Sequence, residues 1–146
     1  MERPLPPTYF LIAVLLMAGL HAAAPAARIV PGLWKLLGLL PISAGIGLAL
    51  WSHHFFHHTG TAVRPFEEPT HLLLEGPYRF SRHPMYLGMF LVLAGLAVVL
   101  GSLSPFAVLV PYWLVTERFA AIEERAMERA FGEEYRAYRE RVRRWL

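Results

Sequence analysis

A chain of 146 residues that is 55% apolar and 17% charged, with a positive mean hydropathy, suits one compact body, and its apolar residues gather in long runs that exclude an ordinary soluble pattern. Cysteine is absent, which excludes both a disulfide framework and a thiol nucleophile. The net charge of +3 and pI near 9.6 do not point to nucleic acid, because the arginines alternate with glutamates along a helical tail.

Four runs qualify as membrane spans, at about 8–24, 32–51, 85–101 and 105–121, where a bilayer core asks for roughly 20 apolar residues each. The first follows Met1-Glu2-Arg3, whose lack of a basic excess argues against a cleaved leader although Ala22-Ala23-Ala24 offers small residues. The second carries Lys35 near its start, read as a snorkelling side chain, and Pro41 near its middle, read as a kink. It runs into His53-His54-Phe55-Phe56-His57-His58, then a Gly/Pro-punctuated loop from Gly60 to Phe66 and a short Leu72-Leu73-Leu74 turn. Only Gly101-Ser102-Leu103-Ser104 joins the third and fourth spans, which predicts an antiparallel helical hairpin.

The fourth span meets Glu117 early, so its helix is expected to leave the bilayer and lead into an amphipathic tail helix over about 122–146. Arg28 and Lys35 flank the first connection, whereas Arg3, Arg64, Arg79, Arg82 and the tail arginines fall on the other side. The positive-inside rule then puts both termini in the cytoplasm of a multi-pass inner-membrane protein. The expected fold is all-α: one polytopic domain, 1–146, with four transmembrane helices and a cytoplasmic amphipathic helix.

Three groups of residues could carry chemistry. In Gly76-Pro77-Tyr78-Arg79-Phe80-Ser81-Arg82-His83-Pro84-Met85-Tyr86-Leu87-Gly88, Pro84 suits the first helical position, which places His83 at the cap. Tyr86 then points to the same side as His83, and Gly88 lets a ligand or a helix approach. A plain helix start with interfacial arginine and tyrosine anchors uses the same residues. In the second group, Glu117 and Glu124 share one helical face, while Glu123 faces Phe119, Met127 and Ala130. A carboxylate among apolar neighbours is costly without a partner, so Glu123 is expected to be the inward-facing ligand group. A solvated helix laced with Glu and Arg is the plainer reading.

The third group, the histidine run, offers i, i+4 pairs that could hold a metal, as in the histidine boxes of membrane oxidases. Seven histidines in all are too few for the three boxes of such enzymes, and no metal is expected.

From about residue 55 to residue 142 the chain resembles the catalytic half of the isoprenylcysteine carboxyl methyltransferase family, including its small bacterial members and its phospholipid methyltransferase relatives. The likeness lies in Gly76-Pro77-Tyr78-Arg79 with Arg82-His83-Pro84-x-Tyr86-x-Gly88, in Glu123-Glu124, and in Phe131-Gly132-Glu133-Glu134-Tyr135-x-x-Tyr138, in that order. The chain departs from the family pattern at Arg141-Val142-Arg143-Arg144-Trp145-Leu146, which lacks the usual proline.

The resemblance implies S-adenosylmethionine held between the start of the third helix and the polar helix after the fourth, with a lipophilic substrate or lipid entering from the bilayer. By position, His83, Pro84, Tyr86, Gly88, Glu123 and Glu124 would line the cofactor pocket. Arg79 or Arg82 would approach the substrate's polar group. An amine acceptor would need Glu123 or His83 as a base, and a carboxylate acceptor would need none. A sulfonium donor needs alignment and exclusion of water more than a nucleophile, so a chain without cysteine suffices. The contrasting expectation is a non-catalytic module whose tail binds membrane lipid.

Overall fold

The computed structural model describes residues 6–59 and 71–146, the side chains of 56–59 excepted. The Gly60 to Phe66 loop and the side chains of His57 and His58 therefore lie outside the described residues. The elements are α1 (Pro6–Ala23), a 3-10 turn (Gly32–Gly38), α2 (Leu39–Thr59), a second 3-10 turn (Gly76–Arg79), α3 (Pro84–Leu100), α4 (Phe106–Phe131) and α5 (Glu133–Arg141). The chain is all-α as expected: the described residues pair as β-structure only at the isolated Arg28 and Ser102 bridge.

Two stretches, Pro6–Ala23 and Gly32–Phe55, are long and apolar enough to cross a membrane, and Pro84–Leu100 is a shorter apolar helix. Leu11, Leu15, Leu40, Leu50 and Val110 point outward, as side chains do when the surrounding solvent is itself apolar. The core is a seam of Ala13 and Met17 from α1, Leu93 and Ala97 from α3, and Val108 and Tyr112 from α4.

Pro41 does not kink a helix at its middle. It sits in the first turn of α2, directly after the 3-10 segment, where its missing N–H has no partner to lose. From there α2 lies against α3 through glycines. A Cβ on Gly88 would come within 2.7 Å of the Gly45 carbonyl and 3.1 Å of the Ala49 nitrogen, and Gly38 meets Gly95 in the same way two turns along. Backbone contact of this kind is how small residues bind helices together without a hydrophobic driving force between them.

The α3–α4 hairpin forms as expected. Gly101 ends α3 at φ 77°, and its N–H donates to the Ala97 carbonyl at 3.0 Å, a conformation that suits a residue without Cβ. His21 and Ser102 hydrogen-bond at 2.7 Å and fasten the end of α1 to this turn. At the other end of the bundle, α4 continues as one helix past its apolar half, again as expected. Its buried face reads Val108, Tyr112, Thr116, Ala120, Glu124, four residues apart each time.

The tail is not one helix. Gly132, at φ 50° and ψ −120°, breaks it between α4 and α5, because that region of backbone space is closed to side-chain-bearing residues. After α5, Val142 is extended (φ −120°, ψ 126°) and the chain turns back across the start of α3. There the Arg82 N–H donates to the Arg143 carbonyl at 3.1 Å and the Ser81 hydroxyl to the Arg144 carbonyl at 3.0 Å. The Tyr138 hydroxyl, donating to the Tyr78 carbonyl at 2.7 Å, ties α5 to the 3-10 turn that precedes α3.

Candidate active site

The site grows from the cap of α3. With Pro84 inside the helix, His83 is left outside it at φ −130° and ψ 58°, and its N–H donates to the Ser81 hydroxyl at 3.2 Å. One turn on, Tyr86 stacks its ring on His83 with centroids 5.6 Å apart and planes 7° from parallel. Both reach the twin glutamates of α4. His83 Nε2 meets Glu124 at 3.2 Å, His83 Nδ1 meets Glu123 at 3.3 Å, and the Tyr86 hydroxyl donates to Glu123.

A carboxylate at each ring nitrogen favours the imidazolium form. Burial works to lower the pKa of His83, but its hydrogen bonds to Glu123 and Glu124 raise it above the ordinary histidine value. Glu124 is only 6% exposed. Burial alone would raise its pKa, yet hydrogen bonds from His83 and Arg144 and the charge of Arg82 lower it from 4.5 to about 2.

Arg144 adds to the hold of His83 on Glu124. Its Nε and Nη2 form a fork on Glu124 at 2.9 and 2.7 Å, and its Nη1 donates to Glu117 at 2.7 Å. The neighbouring Trp145 donates its indole N–H to the other Glu117 oxygen at 2.6 Å. The Trp145 ring lies 4.5 Å from Trp113 and 5.9 Å from His83, centroid to centroid, and Trp113 meets Phe90 edge-on at 5.0 Å. Charge closes within the group: Glu117, Glu123 and Glu124 face Arg82, Arg144 and the His83 imidazolium.

Arg82 has donors to spare. Its Nη2 lies 3.1 Å from Glu124, its side chain is 10% exposed, and its Nε and Nη1 are buried with no partner among the described residues. Buried N–H donors without acceptors are costly, about 1–3 kcal/mol each and more on a charged group. They mark the place where an anionic or carbonyl oxygen is wanted.

The structure thus brings together Arg82, His83, Tyr86, Glu123 and Glu124, with Pro84 setting the helix start beneath them. Two expected residues stand elsewhere. Arg79 is exposed at the end of its 3-10 turn and makes none of these contacts. Gly88 is turned towards α2, so it is the helix and not a ligand that approaches it. The expectation that Glu123 is the inward carboxylate is corrected: Glu124 is the buried one, and the Glu123 side chain is 25% exposed. Counting back in fours from Glu124 through Ala120, Thr116 and Tyr112 identifies the face that packs. Glu117 joins the site from the face it was expected to share with Glu124, whereas Arg144 and Trp145 were not among the expected site residues. A tryptophan set in an arginine run was the available signal.

A family described as phospholipid methyltransferase matches residues 33–134. An uncharacterized protein of Haemophilus influenzae is 40% identical over 63 residues, which is 42% of this chain and all of that protein. The methanethiol S-methyltransferase 1 of Bradyrhizobium diazoefficiens is 34% identical over 86 residues, 59% of this chain, which spans only 28% of that longer protein. No solved structure gives a significant match.

Proposed function

The chain belongs to the phospholipid methyltransferase family, and from that premise we propose that it moves a methyl group from S-adenosylmethionine to a small lipophilic acceptor at the cytoplasmic membrane face. One observation carries the reading: the histidine at the start of α3 and the paired glutamates beyond the apolar half of α4 are in direct contact.

The residues fit the donor. The unpartnered Nε and Nη1 of Arg82 suit its amino-acid carboxylate. Glu123, partly open and engaged among the described residues by His83 and Tyr86, suits ribose hydroxyls or the positive sulfur. Trp113 and Trp145 provide aromatic faces that attract a cation. When bound, the donor supplies a methyl group on a sulfonium that is already an excellent leaving group.

What remains for the protein is to orient the partners and exclude water. His83 is a poor base here, because both its nitrogens already face carboxylates. Should the acceptor lose a proton, as an amine or a thiol does, Glu123 is the carboxylate in place to take it. In this reading four spans carry the site: α1, the 3-10 turn with α2, α3, and the apolar half of α4. Both termini then lie in the cytoplasm.

Isothermal titration of the detergent-purified protein with S-adenosylhomocysteine tests the donor site. Micromolar binding that is clearly weakened but still measurable in Arg82→Ala and His83→Ala supports it, and wild-type protein that does not bind at all sinks it. Radiolabelled donor offered with lipid extracts then identifies the acceptor.

A further inference from the structure

Resting on that reading, we propose that Arg144 and Trp145 are positioning residues for methyl transfer: the segment after α5 clamps Glu117 and Glu124, and Glu124 orients Arg82 and His83 without itself binding ligand. The first ground is load. Glu124 Oε1 already faces three donors, His83 Nε2, Arg82 Nη2 and Arg144 Nε, at 3.2, 3.1 and 2.9 Å, and Oε2 receives Arg144 Nη2 at 2.7 Å. Glu123 has no such load.

The second ground is the strap that brings Arg144 there. Ser81 and Arg82 bond the backbone of Arg144 and Arg143, and Ser81 in turn receives the His83 N–H. Three consecutive residues before α3 are thereby indexed to the segment that carries the clamp. The third ground is Arg82, whose Nη2 is pinned by Glu124 while its Nε and Nη1 stay free. A planar guanidinium held at one corner has the direction of its other donors fixed, so Glu124 aims the fork.

The opposing idea, that Arg144 plugs the site and leaves when ligand arrives, fares worse. Its departure would strip a 6% exposed carboxylate of two of its four donors and break the strap. A ligand using Arg82 and Glu123 needs no such displacement.

The first measurement needs no ligand: the His83 imidazole is titrated by NMR in detergent. The ring faces Glu123 and Glu124 from α4, Tyr86 from α3, the adjoining Arg82, and the Arg144-Trp145 pair. Arg144→Gln removes a positive charge and leaves Glu124 more fully to His83, so the midpoint is expected to rise. Arg144→Lys is expected to bring it back towards wild type, and a midpoint indifferent to Arg144 overturns the clamp.

The second is titration with S-adenosylhomocysteine. Arg144→Gln is expected to weaken binding about tenfold, but by less than about threefold in an Arg82→Ala background, because the two act through one carboxylate. Trp145→Phe keeps an aromatic ring beside Trp113 but loses the indole N–H bond to Glu117 and leaves Arg144 in place, so its loss is smaller and guards against a folding defect in the arginine variants. Losses that simply add, or tighter binding by Arg144→Gln, refute the positioning role while leaving the donor site standing. Wild-type protein that fails to bind, even if the His83 midpoint moves with Arg144, removes the donor site and reduces the clamp to a structural clasp.

Discussion

At the scale of single residues, the two titrating groups pull stability in opposite directions along the pH axis. Glu124 ionises more readily folded than unfolded, at about 2 against 4.5. Its contribution is therefore complete above 4.5 and is lost as pH falls towards 2, a span worth on the order of 3 kcal/mol. His83 is shifted upward, so its contribution is complete below the ordinary histidine value and fades as pH rises through the folded one. The melting temperature in detergent is expected to fall on both sides of a mildly acidic optimum. Glu124→Gln should flatten the acid limb and His83→Gln the alkaline one.

Truncation is harsher than neutralisation. Glu124→Ala leaves the buried Arg82 without its carboxylate and Arg144 with Glu117 alone, and a loss of about 3–5 kcal/mol is expected in chemical denaturation. Glu123→Ala should cost clearly less, since that side chain is 25% exposed. The sequence made both glutamates visible as a pair but misjudged which one is buried, because the apolar neighbours of Glu123 lie on a half-exposed flank. The packed face is instead marked by small and polar residues, Thr116 and Ala120, which carry little hydrophobic signal.

At the scale of elements, local chemistry was readable wherever a single residue dictates backbone shape. Pro84 starts α3, Gly101 ends it, and both were legible without a structure. Pro41 was not, since its consequence depends on whether the preceding turn is α or 3-10. Gly132 was passed over for a related reason: Ala130 and Phe131 before it and Glu133 and Glu134 after it all favour continuing a helix. Because its φ of 50° and ψ of −120° are strained for any other residue, Gly132→Ala is expected to cost about 1–3 kcal/mol. By misplacing α5 and the strap beyond it, the same change should also weaken S-adenosylhomocysteine binding, which calorimetry would show.

A helix approach at Gly88 was one of two readings open in the sequence, but that the helix is α2, and that Gly95 repeats the contact, was hidden, as one helix does not reveal its neighbour. Gly95→Leu has no room, with the Gly38 carbonyl and Ile42 against it, and is expected to prise α2 from α3 and lower the melting temperature sharply. Overpacking of even a methylene or two costs roughly 1–3 kcal/mol.

At the scale of the whole molecule, the proposed topology puts the hairpin turn at residues 101–104 on one side of the bilayer and α5 on the other. A chain without cysteine allows a clean check. In spheroplasts, a membrane-impermeant maleimide should label Leu103→Cys, whose parent side chain is 50% exposed. Arg139→Cys should react only after lysis, and the reverse pattern would invert the orientation.

The seam between α3 and α4 also has a bearing on how the protein is made. Synthesis runs from the amino end, so α3 and α4 leave the ribosome before residues 143–145, which supply the last hydrogen bonds to Ser81, Arg82, Glu117 and Glu124. A nascent chain that has passed α4 but not reached Arg144 therefore holds Glu117, Glu123 and Glu124 with one guanidinium fewer to face them. On the reading proposed here, the cluster closes only after the helices it joins have been made.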